Sequence, residues 1–320
     1  MSGGRLLITG ASGMVGRALL SRLASADAPP SFEDLLTPSS KELDLRDQSA
    51  VQAYFQAERP ERVVHLAGHI GGIRASISRP VEFFYENLVM AMNVIHAAYE
   101  ADAKRLLFIG SSCIYPRACP QPMAEDSLLT GSLEPTNEGY SIAKVAGIKL
   151  CEFLNRQHGT DFLSLIPCNL YGPHDSFDSP DGHVVSSLLS RLHAAKLEQA
   201  PSVEIWGTGT TRREFLFVDD MADSICHFLE RGRGESPHEV FNVGTGQDLT
   251  IRSLAEKIKQ VVGYEGELVF NPDKPDGMPR KCLDVARTSA HGWQAKIDVD
   301  QGLARAYAWY TANRKKRVEA

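Results

Sequence analysis

Tyr140 and Lys144 stand four places apart in the run Thr136-Asn137-Glu138-Gly139-Tyr140-Ser141-Ile142-Ala143-Lys144, and no other tyrosine of the chain has a lysine at that spacing. At 3.6 residues per turn the two side chains stack on one face of a helix. A phenol ionises near pH ~10, too high for proton exchange at neutrality. An ammonium held alongside favours the phenolate and draws that value down. The same spacing also describes a tyrosine that merely neighbours a surface lysine, so the elements that would position the pair decide between the two readings.

The chain has 320 residues, enough for one large α/β unit or two fused lobes. Its 43% hydrophobic and 23% charged content is ordinary for a soluble globular enzyme. No apolar run approaches the ~20 residues of a membrane helix. The start, MSGGRLLITG, enters a strand pattern at once with no signal-peptide core, so a cytoplasmic location is expected. The six cysteines show neither CxxC pairs nor metal spacing, which suits free thiols in a reducing compartment and no metal site. A net charge of −6 argues against general affinity for nucleic acid.

Arg5 to Thr9 reads as a short apolar strand running into Gly10-Ala11-Ser12-Gly13-Met14-Val15-Gly16 and then a helix through Leu23. Strand, glycine turn and helix together make a pyrophosphate cradle: the glycines permit a tight turn and close backbone approach, and the helix N-terminus favours the anion. The spacing is GxxGxxG, as in short-chain dehydrogenase/reductase relatives. A second strand, Asp34 to Thr37, ends in Pro38-Ser39-Ser40-Lys41, where an acidic residue would hold the ribose 2′-hydroxyl of NAD. Two hydroxyls and a lysine instead suit a 2′-phosphate and hence NADP, although Glu42 leaves NAD open. Asp44 and Leu45 follow and are counted with the cofactor site. A third strand, Arg62 to Leu66, ends at Ala67-Gly68, small enough for a cofactor to lie against Leu66, Ala67 and Gly68. A helix from about Pro80 to Ala101 precedes a fourth strand, Arg105 to Ile109, which opens into Gly110-Ser111-Ser112-Cys113. Ile109, Gly110, Ser111 and Ser112 are therefore also placed beside the cofactor.

The loop from there to Thr136 is long and proline-rich, as substrate loops at strand ends are. After the Tyr140 helix the pattern gives a strand at Phe162 to Ile166. The βα alternation then loosens: a helix from His183 to Leu197, strands at Val203 to Trp206 and Arg213 to Val218, a helix from Asp219 to Glu230, and a short strand at Phe241 to Gly244. Helices at Ile251 to Val262 and Asp298 to Tyr310 flank a strand at Leu268 to Phe270, and Lys315-Lys316-Arg317 reads as a solvated tail. The fold expected is a Rossmann-type doubly wound parallel sheet over residues 1–170, joined by some later segments, with a smaller α/β substrate domain over residues 171–320.

In such a sheet the C-terminal strand ends lie together, so Ser111, Tyr140 and Lys144 can converge. Ser111 or Ser112 would bind a substrate carbonyl, Tyr140 would protonate its oxygen as hydride arrives, and Lys144 would hold the nicotinamide ribose. Cys113, two places past Ser111, and His183, at the start of a helix, exceed what a ketoreductase needs. A thiol near pKa ~8.5 becomes a usable base beside a cation or helix N-terminus, and a histidine near pH ~6.5 can return a proton. Such a pair would epimerise carbons α to a ketone. From spacing alone they read rather as a buried thiol and a capping histidine.

The segments GSSCIYP, QPMAEDSLLTGSLEPTNEGYSIAKVAGIKLCE, NLYGPHDSF, WGTGTTRREFLFVDDMAD, NVGTGQDLTIRSLAEKI and KPDGMPRK closely resemble the GDP-L-fucose synthase family and span nearly the whole chain. The resemblance implies 3,5-epimerisation of GDP-4-keto-6-deoxy-D-mannose followed by NADPH-dependent reduction at C4. It implies Ser111, Tyr140 and Lys144 as the reductase triad, Cys113 as the epimerisation base and His183 as its acid, the last also beside the cofactor. It places Arg191, Trp206, Arg213 and Asp276 near the GDP-sugar and Pro167, Cys168, Asn169 and Leu170 at the nicotinamide end. It also implies a homodimer formed through the helices containing Asn87 and Lys149. Three departures stand out: Ser12 and the Ser40 region lack arginines common in bacterial members, Gly139 replaces a common proline, and Cys168 a common threonine. The competing expectations are an epimerase or 4-ketoreductase for another nucleotide sugar, and a non-catalytic NADP-binding regulator, which the presence of Tyr140, Lys144, Cys113 and His183 together disfavours.

Overall fold

Leu6, Leu7 and Ile8 have no exposed surface. The first strand is covered on both faces, which is why it reads as a continuous apolar run rather than an alternation. Burying each such side chain contributes roughly 1.5–3 kcal/mol. In the computed structural model, which describes residues 3–25, 32–177, 182–234, 238–274 and 276–318, the N-terminal half alternates strand and helix. The order is β1 (Gly3–Thr9), α1 (Met14–Leu23), β2 (Phe32–Leu36), α2 (Gln48–Glu58), β3 (Arg62–His65), α3 (Ile73–Ser78), α4 (Pro80–Glu100), β4 (Arg105–Ile109), α5 (Glu138–His158) and β5 (Phe162–Pro167). There follow β6 (Asn169–Tyr171), α6 (Val184–Leu197), β7 (Ser202–Trp206), β8 (Arg212–Phe217), α7 (Val218–Arg231), β9 (Val240–Val243) and β10 (Asp248–Thr250). The chain closes with α8 (Ile251–Val262), β11 (Glu267–Asn271), β12 (Arg280–Lys281), α9 (Ala286–Ala290) and α10 (Val299–Val318).

The main sheet has the order β2-β1-β3-β4-β5-β9, every neighbouring pair parallel. Strand order reverses at β1, and the crevice at the C-terminal ends of β1 and β3 is where a doubly wound sheet binds ligands. This is the expected doubly wound α/β architecture. Its sixth strand, β9, comes from far beyond residue 170, and α7 packs back on α1. A second buried cluster gathers Leu188, Leu189, Leu192, Leu254, Ile258 and Leu303 from α6, α8 and α10 around Phe215 and Phe217 of β8. There β8 pairs with β6, β10 and β12, and β7 pairs with β11.

Several expectations change. The stretch before α4 contains α3, and the long loop after β4 is ordered by 3₁₀ turns at Ser112–Ile114, Glu125–Ser127 and Pro135–Asn137. The last helix is longer than expected: its backbone runs through 315–317, which read as a tail, as far as Val318. Part of the irregular stretch from Gly172 to Gly182, residues 178–181, lies outside the described residues. No helix among the described residues is long and apolar enough to cross a membrane.

Candidate active site

Gly10 follows β1 with φ +71, a left-handed backbone; a Cβ there would stand 2.7 Å from the backbone nitrogen of Ala67. Gly16 lies so close to the turn that a Cβ would come within 2.5 Å of the Gly10 carbonyl. These two glycines bring the first turn of α1 and the ends of β1 and β3 together, and they leave backbone N–H groups and a helix N-terminus facing one crevice. Beside the turn, Arg17 Nε donates to the Ser12 carbonyl at 2.9 Å, so a cation stands next to the position where Ser12 takes the place of an arginine. Sequence reasoning passed Arg17 over. Past β2, the Glu42 carboxylate accepts from the Ser39 backbone N–H at 2.8 Å, and that contact holds its pKa below the ordinary value. Asp44 is paired with Arg46 at 2.8 Å, while Leu45 is buried in the main core.

Lys144 projects from the second turn of α5 into the protein and is 5% exposed. Its Nζ donates to the Ile109 carbonyl at 2.8 Å and lies 4.9 Å from the Phe108 ring centroid and 5.8 Å from that of Tyr140. Burial lowers its pKa to about 8. A Cβ on Gly68 would lie 3.8 Å from this Nζ, so the lysine closes the gap between α5 and the end of β3. Beneath it, His65 bonds Thr9 Oγ1 at 2.7 Å and is kept neutral, its pKa lowered to about 3 by burial and then by Lys144.

The expected lowering of the Tyr140 pKa by Lys144 is not what the structure holds. Burial raises it, the charge on Cys113 raises it further, and a hydrogen bond from Ser111 works the other way. The ammonium points at a backbone carbonyl instead, and Ser111 is the group that favours the phenolate. Ser111 begins the 3₁₀ turn after β4, and its Oγ accepts from the Cys113 N–H at 3.3 Å. Ser112 is buried.

Cys113 is where the elements meet. Burial opposes its thiolate; against this act the charge of Lys281 and hydrogen bonds from Ser111, Lys281 and Asn137, and the net effect holds the thiol below its ordinary pKa. Lys281 Nζ lies 3.3 Å from Cys113 Sγ, across 168 residues of sequence. Neither Lys281 nor Asn137 was expected; an isolated lysine in PRK and an asparagine before a helix carry no pattern that would single them out. Asn137 also lines a cavity of about 200 Å³ between α3, α4 and the start of α5, with Ser76, Ile77, Phe83, Thr136 and Tyr140. Its Oδ1 is buried without a hydrogen-bond partner.

His183 is the N-cap residue of α6, on the second lobe, and its partner is Asp175: Nδ1 and Oδ1 are 4.0 Å apart. Burial raises the Asp175 pKa, opposed by the charge of His183. Ser111, Cys113 and Tyr140 thus form one contact group, with Lys144 beneath it and His183 held by a separate carboxylate.

The remaining expected residues sort by lobe. Pro167 ends β5, Cys168 donates its N–H to Val243 at 3.1 Å, Asn169 Nδ2 donates to the Glu214 carbonyl at 2.8 Å, and Leu170 pairs with Leu216. Arg191 of α6 donates to the Glu204 carbonyl on β7. Trp206 ends β7 half-exposed, with Lys274 Nζ 5.4 Å from its ring centroid. Asp276 accepts from Thr208 N and Oγ1, both at 2.8 Å, and so sits against the loop after Trp206. Arg213 donates to the Met278 carbonyl at 2.6 Å; burial lowers its pKa, opposed by the charges of Asp276 and Cys113. Trp206, Arg213 and Asp276 therefore line a stretch of the second lobe that ends at Cys113.

The profile of the NAD dependent epimerase/dehydratase family matches residues 6–244. The chain is 47% identical to a GDP-L-fucose synthase of Escherichia coli (strain K12) over 99% of each chain. Among solved structures it resembles a GDP-6-OMe-4-keto-L-xylo-heptose reductase from C. jejuni, with TM-score 0.90 and 33% identity over 98% of this chain and 99% of that one. It also resembles a GDP-L-fucose synthetase from Naegleria fowleri bound to NADP, with TM-score 0.87 and 25% identity over 98% of this chain and 96% of that one. The chain belongs to the NAD dependent epimerase/dehydratase family and, within it, to the GDP-L-fucose synthases.

Proposed function

We propose that this enzyme converts GDP-4-keto-6-deoxy-D-mannose to GDP-L-fucose by epimerising C3 and C5 and then reducing C4. The observation that carries the reading is a thiol held toward its anion within the same contact group as a phenol held as a proton donor, with Ser111 placed to bond either. C3 and C5 each flank the C4 ketone, so removal of either proton leaves an enolate whose charge rests on the C4 oxygen. Cys113 takes the proton and His183 returns one to the opposite face. Ser111 and Tyr140 hydrogen-bond the C4 oxygen and stabilise each enolate in turn. Because burial keeps Tyr140 protonated, it is ready to give its proton to that oxygen when C4 is reduced.

NADPH, when bound, supplies the hydride. The crevice fits a dinucleotide: Gly10 through Gly16 offer backbone N–H groups to the pyrophosphate, and Leu66 to Gly68 and Ile109 to Ser112 form the walls. Ser39, Ser40 and Lys41 would take the 2′-phosphate, Asp44 and Leu45 would lie beside the adenosine, Lys144 would take the nicotinamide ribose, and Pro167 to Leu170 with His183 would flank the nicotinamide. Glu42 is engaged by its own turn at Ser39, which supports NADP over NAD. Arg191, Trp206, Arg213 and Asp276 hold the GDP moiety, the guanidinium groups matching diphosphate oxygens. A boundary near residue 170, with β9 and α7 returning to the first lobe, separates the lobe that carries the cofactor from the lobe that mainly carries the sugar nucleotide.

The exposed apolar side chains Val81 and Tyr85 on α4 and Ile142 and Phe153 on α5 support a homodimer through these helices. Asn87 itself is buried, holding the His69 backbone rather than a partner. Free thiols at all six cysteines fit a cytoplasmic setting. The deciding experiment incubates purified protein with GDP-4-keto-6-deoxy-D-mannose and NADPH and identifies the sugar by NMR. GDP-L-fucose is expected. Absence of NADPH consumption, or a product that keeps the D configuration, overturns the assignment, and the latter would mark a 4-ketoreductase that makes a different deoxysugar.

A further inference from the structure

We propose that Lys281 is the positioning residue that holds Cys113 as a thiolate, so that the base of the epimerisation is completed by a cation from the second lobe. This rests on the reading of Cys113 as that base. The geometric ground is the 3.3 Å contact between Lys281 Nζ and Cys113 Sγ. A thiolate in a half-buried site needs a compensating charge or donor, and a direct ammonium contact supplies both.

The backbone around Lys281 is fixed on both sides. Arg280, one place before, is tied to Asp248, which also holds Arg212. One place after, Cys282 N donates to Gln121 Oε1 at 3.0 Å and the Cys282 carbonyl accepts from Met123 N at 2.8 Å. Leu283 N donates to Glu214 Oε2 at 2.7 Å, and Asp284 N to the Met123 carbonyl at 2.9 Å. Lys281 itself pairs with Arg213 in the register of β12 and β8. Since alternate residues of a strand point to opposite faces, fixing Arg280 and Cys282 leaves Lys281 directed the other way, toward the site. Pairing on both flanks pre-organises the cation, so little reordering accompanies loss of the thiol proton.

Other groups also face the sulfur. Ser111 comes from its own loop, Asn137 from the turn before α5, Tyr140 from α5 and Arg213 from β8. Of the two cations, Arg213 directs its hydrogen bonds to the Arg212 and Met278 carbonyls, at 2.8 and 2.6 Å. Lys281 is the one bonded to sulfur.

The test is a site-resolved thiol titration of the full-length protein. The pH dependence of iodoacetamide alkylation at Cys113 is followed by peptide mass spectrometry in the parent, Lys281→Met, Lys281→Gln and Lys281→Arg proteins. The two neutral variants are expected to raise the alkylation midpoint by about one pH unit or more, which is roughly tenfold less thiolate at neutral pH. The arginine variant is expected to stay near the parent. In parallel, deuterium wash-in at C3 and C5 is expected to slow in the neutral variants by a larger factor than NADPH-dependent reduction of an already epimerised sugar. A midpoint that stays at the parent value in both neutral variants, each with parental circular dichroism, overturns the proposal. The titration uses no substrate. If the midpoint moves but the parent protein incorporates no deuterium, the epimerase reading fails and the Lys281 contact stands; parental exchange with an unmoved midpoint removes Lys281 alone.

Discussion

Ser111 can serve either of two neighbours: its one O–H donates to the Cys113 sulfur or to the Tyr140 oxygen, and whichever receives it is favoured as the anion. A single hydroxyl thereby supports proton removal and proton delivery. Ser111→Ala is expected to lower both deuterium wash-in and reduction, each by roughly 10²–10³ in kcat, measured on the same preparation; loss of only one would separate the two roles. Lys144 has a different signature. Its displacement from 10.5 to about 8 corresponds to roughly 3 kcal/mol at about 1.36 kcal/mol per pH unit. Below pH 8 the folded and unfolded chains both carry the proton and the cost of the buried charge is complete. Between pH 8 and 10.5 the unfolded chain binds more protons, so stability rises with pH, and above that the cost is gone. Lys144→Met should therefore unfold at higher denaturant than the parent at pH 7, by up to that amount less the lost Ile109 hydrogen bond. The difference should shrink toward pH 10.5, and reduction should be lost throughout. Chemical denaturation across pH checks this.

Glu214 shows how one strand sets several others. Wholly buried on β8, it accepts from Thr245 N at 2.6 Å and Gly246 N at 2.8 Å through Oε1, and from Leu283 N through Oε2. Glu214→Gln leaves one acceptor oxygen for these donors, so an N–H on one side goes unpaired at a cost of about 1–3 kcal/mol. It is expected to lower the denaturation midpoint and, by loosening the strand that carries Lys281, to slow Cys113 alkylation. A variant as stable as the parent would contradict that account. The same region marks where the sequence stopped being informative. β4 and the Pro80 helix stand in the chain almost as the structure has them, because an apolar run and a 3.6-residue period are local signals. β6, β10 and β12 hold three, three and two residues, too few for any period, and exist because β8 offers them an edge. Among the proposed groups, Ser111, Tyr140 and Lys144 could be singled out because a strand end and a helix turn carry them, whereas Cys113 and His183 stood out only through the family resemblance. Lys281 did not stand out, because its meaning depends on a contact across 168 residues.

The two lobes are joined through side chains that belong to neither sheet ladder. Asn242 on β9 accepts from Tyr115 Oη at 2.5 Å and donates to the Met123 and Asp284 carbonyls, both at 2.9 Å. The loop after β4 is thus tied at once to the main sheet and to the segment after β12. On the outer side, α4 and α5 pack against each other and leave Val81, Tyr85, Ile142 and Phe153 exposed. Ile142 and Phe153 lie eleven places apart, close to three helical turns, and share a face with Lys149. A Val81→Glu and Phe153→Glu double variant is expected to sediment as a monomer at concentrations where the parent is a dimer, and a parent that is itself monomeric would remove the homodimer from the proposal.

The nearness of Cys113 to Tyr140 couples the protonation states of the two groups. While the sulfur is anionic, its charge works against ionisation of the phenol, and Tyr140 retains its proton. With the sulfur neutral that opposition ends, and the phenol parts with its own proton more readily. Cys113→Ala should then move the alkaline limit for reducing an already epimerised sugar to lower pH, a shift readable in the pH profile of NADPH oxidation.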